Sequence, residues 1–148
     1  MTMSERTVWA SVFTFALVAV VYVTVIATRA AQMPVEEVSW VAPMIWAMGS
    51  LIVVIVVGTI ASAIATGIAA GARGEKAEYE EGDVRDKQIE LVGNARAHGV
   101  SGLGGFAALI LMMLDAPTFW VANTLFVSGL IAGLTAALVK VRAYRNGV

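Results

Sequence analysis

An all-α fold of four transmembrane helices is what three features of this sequence predict. Its residues are 59% hydrophobic and only 14% charged, with a mean hydropathy of +0.80, whereas soluble domains carry about a quarter charged residues. At 148 residues the chain has room for one domain, and a water-facing globule of that size could not hide so much apolar surface. Finally, the apolar residues gather into unbroken runs. Each approaches the roughly 20 residues that a helix needs to cross about 30 Å of hydrocarbon.

The first expected span covers residues 8–28 and is free of charge. It is longer than the roughly 7–15 apolar residues of a secretory leader, and "ATRAAQ" (27–32) offers no clean small-x-small cleavage site, so the span is expected to be retained. The second lies in the uncharged run 38–72, where Trp40, Pro43 and Trp46 predict an irregular or interfacial start and a span proper at 44–70, the alternative being a longer tilted helix. The third, 97–114, is shorter and rich in glycine, and the fourth covers 118–139. Val-rich "LIVVIVVGTI" favours strand locally, but a membrane strand belongs to a closed barrel of alternating pattern, and these runs do not alternate. Residues 73–96 form the one long charged interruption, with a short amphipathic helix expected from Asp83 into the third span.

Charge sidedness sets the expected orientation. With four spans, the N-terminus, the 73–96 segment and the C-terminus share a side that collects nine basic residues, among them Arg6, Arg73, Arg85, Lys140 and Arg145. The other side has Arg29 alone, beside Glu36, Glu37 and Asp115. Cytoplasmic loops carry the excess of Lys and Arg. The prediction is a multi-pass inner-membrane protein with both termini in the cytoplasm, its immediate partner the lipid bilayer. A net charge of −1 implies no general attraction to nucleic acid, and the absence of cysteine excludes disulfides and thiol chemistry.

Lipid removes the hydrophobic force between helices, so small side chains have to permit close approach. Thr59, Ala63, Gly67 and Gly71 fall four apart, as do Gly93, Ala97, Ser101 and Gly105, and then Gly129, Gly133 and Ala137. Gly67, Gly71, Ser101, Gly105, Gly129 and Gly133 are therefore candidate packing residues. They would serve either inside the bundle or in a homo-oligomer. Glycine-rich "HGVSGLGGFA" (98–107) has no strand before it and no lysine after it, unlike a phosphate loop, and reads as close packing or a local bend.

Ionisable groups inside a membrane usually carry function. The interiors of spans one, two and four have none, so the intramembrane carboxylate that proton-coupled transport relies on is missing. Small multidrug-resistance exporters, also four-helix proteins, depend on such a glutamate. Span hydroxyls such as Thr14, Thr59 and Thr135 can bond carbonyls one turn back. Asn123, near the end of span four, marks an interface or a helix contact. His98 is the sole histidine, too few for a haem or metal site or a serine triad. No catalytic, cofactor-binding or metal-binding residue is assigned; an enzyme is not expected, nor a cofactor.

Attention falls on "EEGDVRDKQIELVGNARAHG" (80–99). Residues 72–98 hold seven acidic and five basic side chains, a mixed charge. At 100° per residue, Asp83, Asp86, Lys87, Glu90 and Asn94 share a polar face, and Val84, Leu91, Val92 and Ala95 form an apolar stripe beside it. Glu81–Arg85 and Asp83–Lys87 are acid-before-base pairs four apart. Asp83, Asp86 and Glu90 could converge on a hard cation, but Lys87 stands among them and repels it. The remaining readings are a solvated, self-paired face or a docking surface formed by Asp83, Arg85, Asp86 and Glu90.

The stretch Asp83-Val84-Arg85-Asp86-Lys87-Gln88-Ile89 resembles a motif of small four-span bacterial and archaeal membrane proteins of unknown function. Their cytoplasmic loop carries Asp-Glu-Arg-Asp, two variable residues and Ile. The likeness covers Asp83, Arg85, Asp86 and Ile89; Val84 stands where that family usually has Glu, so no role of that acid carries over. The resemblance implies a membrane partner for a small helix-turn-helix regulator, by analogy alone. The expected function is a non-enzymatic protein-contact or regulatory module, meeting a cytoplasmic protein or a second copy through the charged helix. The alternative is a small oligomeric transporter or channel with Ser and Thr hydroxyls lining the path.

Overall fold

The computed structural model describes residues 3–72 and 84–146. These form four α-helices in chain order, α1 (Met3–Ala30), α2 (Val41–Ala72), α3 (Val84–Met113) and α4 (Thr118–Asn146), with no strand among the described residues. Each helix is long and apolar enough to cross a membrane. The helices run alternately up and down, which puts the connections 31–40 and 114–117 at one end, the loop end. The first turns of α1 and α3 and the last turns of α2 and α4 lie at the other, the charged end.

Packing is uneven. Helix α4 lies between α3 and α1, and α2 leans chiefly on α1. Positions 52–60 of α2 are therefore exposed without interruption. That stretch contains Ile, Val, Gly and Thr, so the uncovered surface is apolar.

Element ends follow local chemistry. Helix α2 begins at Val41, within the stretch expected to be irregular and ahead of the expected span proper, because Pro43 falls in the first turn, where a missing N–H costs nothing. Helix α3 ends in a Schellman closure. The Ala116 N–H bonds to the Leu111 carbonyl at 3.0 Å and the Asp115 N–H to the Met112 carbonyl at 3.1 Å, with Asp115 at a φ of 50°. Pro117 then prevents continuation, and α4 starts at the next residue.

At its other end α3 is unbroken from Val84. Residues 84–96, expected as a short helix before the third span, are the first turns of α3 itself. An isolated glycine costs a helix only about 1 kcal/mol, and Gly93 offsets that by close packing on α4. A side chain there would come within 2.7 Å of the Lys140 side chain and 3.1 Å of the Ala136 carbonyl oxygen.

Two apolar clusters hold the bundle. At the loop end Tyr22, Ile26, Val38 and Phe119 are buried together, with Val38 folded in from the connection by the turn at Pro34. Inside this cluster Tyr22 donates to the Asn123 Oδ1 at 2.7 Å, and the Asn123 Nδ2 donates to the Phe119 carbonyl at 2.8 Å. Asn123 is thus a helix contact, joining α4 to α1. Towards the charged end Val12, Ala137 and Val141 make the second cluster, beside which Arg145 lies 5.6 Å from the centre of the Trp9 ring.

Candidate functional site

Three helix ends meet at the charged end around a cavity of about 390 Å³. Thr7 and Val8 come from α1, Asp86, Lys87, Ile89 and Glu90 from α3, and Lys140 and Tyr144 from α4. The first turns of α3 are seated by Ile89, the most deeply buried large side chain described, at 1% exposure. Ile89 and Gly93 lie one turn apart and both are buried, so they fix the rotation of this segment on α4.

That rotation decides what the charged residues do. Asp86 is half-buried and accepts a hydrogen bond from the Tyr144 hydroxyl at 2.9 Å. One turn on, Glu90 lies 4.0 Å from the Lys140 ammonium, with Glu90 largely exposed. Arg85 reaches the Tyr144 main-chain carbonyl at 3.4 Å. Arg85, Asp86 and Glu90 are thus brought together against the last turns of α4, while Asp83 lies outside the described residues.

Opposite this seat the helix is uncovered. Val84 is 72% exposed and Leu91 69%, and seven residues of separation stack them on one face two turns long. Lys87, Gln88, Asn94 and Ala95 lie exposed around them. The geometry is that of a helix clamped on one side and presenting a mixed apolar and polar face on the other.

Chemically the site is poor in reactive groups. Among the described residues no three His, Cys, Asp or Glu side chains converge as a metal site would require. His98 lies further along α3, exposed. The carboxylates of Asp86 and Glu90 face a hydroxyl and an ammonium from α4, which suits a structural clamp.

The small residues are placed unequally. An added side-chain carbon at Gly133 would run into the Phe15 ring of α1, but at Gly67, Gly71, Gly105 or Gly129 it would meet nothing within 4 Å. Ser101 is exposed. Gly104 of α3 packs closely on α4, where such a carbon would collide with the Ser128 side chain.

Sequence reasoning had no hold on Tyr144 and Lys140 as partners of the charged cluster, since they lie 58 and 50 positions from Asp86 and Glu90 in the chain. Ile89 carried a signal: it is the one large apolar residue within the charged stretch that lies off the Val84–Leu91 stripe. Compared with protein-family models, curated proteins and solved structures, the chain matches none.

Proposed function

We propose that this protein is a non-enzymatic contact module of the inner membrane. Its four helices span the bilayer, both termini face the cytoplasm, and residues 84–96 project from the membrane as the amphipathic start of α3. The nine-to-one division of basic residues between the two ends supports that orientation. One observation carries the functional reading. The first turns of α3 are held on α4 by Ile89, by the Asp86–Tyr144 bond and by the Glu90–Lys140 pair, while Val84 and Leu91 remain uncovered on the far side. A rigid helix face of this kind binds without paying an ordering cost. Arg85 and Glu90 flank the contact, and Asp86 acts through Tyr144 as a positioning residue; Asp83, one residue before the described part of α3, is the fourth candidate contact residue. The partner is a cytoplasmic protein with an apolar groove for Val84 and Leu91.

The test is site-specific photocrosslinking in living cells from position 91. A discrete adduct with one cytoplasmic protein, lost on Val84→Glu while membrane insertion is unchanged, is the expected outcome. Adducts with lipid alone would overturn the reading. A second reading, a small oligomeric transporter or channel, is favoured by the uncovered face of α2, where Gly67 and Gly71 have no neighbour. The same probe at Ile68, also exposed, decides it: crosslinked dimers support that reading and monomers count against it.

A further inference from the structure

Away from the charged end, a groove of about 660 Å³ runs between α1 and α2. Leu17, Val21 and Val25 form one wall, and Ala47 and Val54 the other. Its hydroxyl groups are already used. Thr14 bonds to the Ala10 carbonyl, Ser50 to the Ala47 carbonyl and Tyr22 to Asn123. What remains is an apolar trough with one charged residue, Arg29, at its loop end.

Arg29 is the sole basic residue at that end of the molecule. Its Nη1 donates to the Ser39 main-chain carbonyl at 2.6 Å, which holds the guanidinium across the α1–α2 connection. A guanidinium has five N–H donors, and no carboxylate among the described residues pairs with it, although Glu36 and Glu37 lie exposed in the same connection. Trp46, 79% exposed, lines the groove near this end, where an indole suits the membrane–water boundary. From Arg29 to Thr14 the groove follows fifteen residues of α1, about 22 Å at the helical rise. That exceeds one leaflet, half of the roughly 30 Å of hydrocarbon.

We infer that this groove holds one acyl chain of an anionic phospholipid, with the phosphate on Arg29. Charge and shape both select that occupant. An apolar trough longer than a leaflet takes a chain of full length, and a planar guanidinium at its mouth binds phosphate oxygens through paired hydrogen bonds. A zwitterionic lipid offers the same chain, but its own ammonium competes for the phosphate. The inference rests on the helices lying in a bilayer and is independent of the contact face on α3.

Carbonate extraction of membranes comes first. Release of the protein as a soluble species would overturn both the bilayer reading and the groove. With the protein retained, native mass spectrometry in mild detergent measures binding of phosphatidylglycerol against phosphatidylcholine. The expected result is a roughly ten-fold preference for phosphatidylglycerol, the scale of one charge-assisted contact. Arg29→Gln removes that preference, lowering phosphatidylglycerol binding by more than phosphatidylcholine binding. Val21→Trp, at a half-exposed position where the groove opens, lowers binding of both lipids. An unaltered preference in Arg29→Gln overturns the proposal. So does unaltered lipid binding in Val21→Trp, including the case in which that variant changes only the oligomeric state and the groove proves to seat a second copy.

Discussion

Tyr22 and Asn123 show what a single polar contact does in an otherwise apolar bundle. Asn123 is the one polar side chain in the buried core among the described residues, and it spends its amide on the Phe119 carbonyl and its carbonyl on Tyr22. Hydrogen bonds between membrane helices contribute about 0.6 kcal/mol on average and up to roughly 1.7. Tyr22→Phe leaves the Asn123 oxygen buried without a donor, so it should lower stability by about 1 kcal/mol. In the double variant with Asn123→Leu, the combined loss should fall short of the sum of the two single losses by about 0.6 kcal/mol. Unfolding in mixed detergent micelles measures both, and strictly additive losses would show that the contact contributes nothing. The residue type was legible in the sequence: an Asn within an apolar span announces a helix contact. Its partner, 101 positions away, was not, because nothing local to either residue encodes the pairing.

At the scale of the element, the packing face of α3 shows why a ladder of small residues is a poor guide to register. Steps of four residues turn the ladder by about 40° each, since a helix advances 100° per residue. From Gly93 the ladder reaches Gly105 after three such steps, about 120° off the starting face. The buried face follows Ile89, Gly93, Gly104 and Ala108 instead, with Ala97 and Val100 half-buried between them. The steps there are four, four, three, four and four, and the step of three brings Gly104 back to within about 20° of Gly93. Adjacent glycines therefore respond in opposite ways. Gly104→Ala drives a methyl into Ser128 and should cost about 1–2 kcal/mol, because overpacking outweighs the gain in helix propensity. Gly105→Ala meets open space and should stabilise by up to about 1 kcal/mol. Thermal unfolding of the two variants side by side checks the register, and equal effects would mean that α3 is rotated differently on α4.

For the whole molecule, the sequence made the four helices plain through run length and composition, and left their arrangement open. Which helix sits in the middle depends on shape matching, such as Phe15 against Gly133 and Ser128 against Gly104, and hydropathy is blind to that. The second helix is the most uniformly apolar, yet it is the least covered. In a membrane, apolarity records contact with lipid as readily as contact with protein. Charge, in contrast, is sorted along the sequence, and among the described residues Arg85, Lys87, Lys140 and Arg145 lie at one end and Arg29 at the other. Everything proposed for the α3 face depends on the charged end lying in the cytoplasm. The chain has no cysteine, so single cysteines report its topology without background. Gln32→Cys, exposed at the loop end, and Gln88→Cys, exposed at the charged end, can be treated with a membrane-impermeant maleimide on right-side-out spheroplasts. Position 32 should be labelled at once and position 88 only after the membrane is opened; labelling of position 88 in sealed spheroplasts would contradict the account.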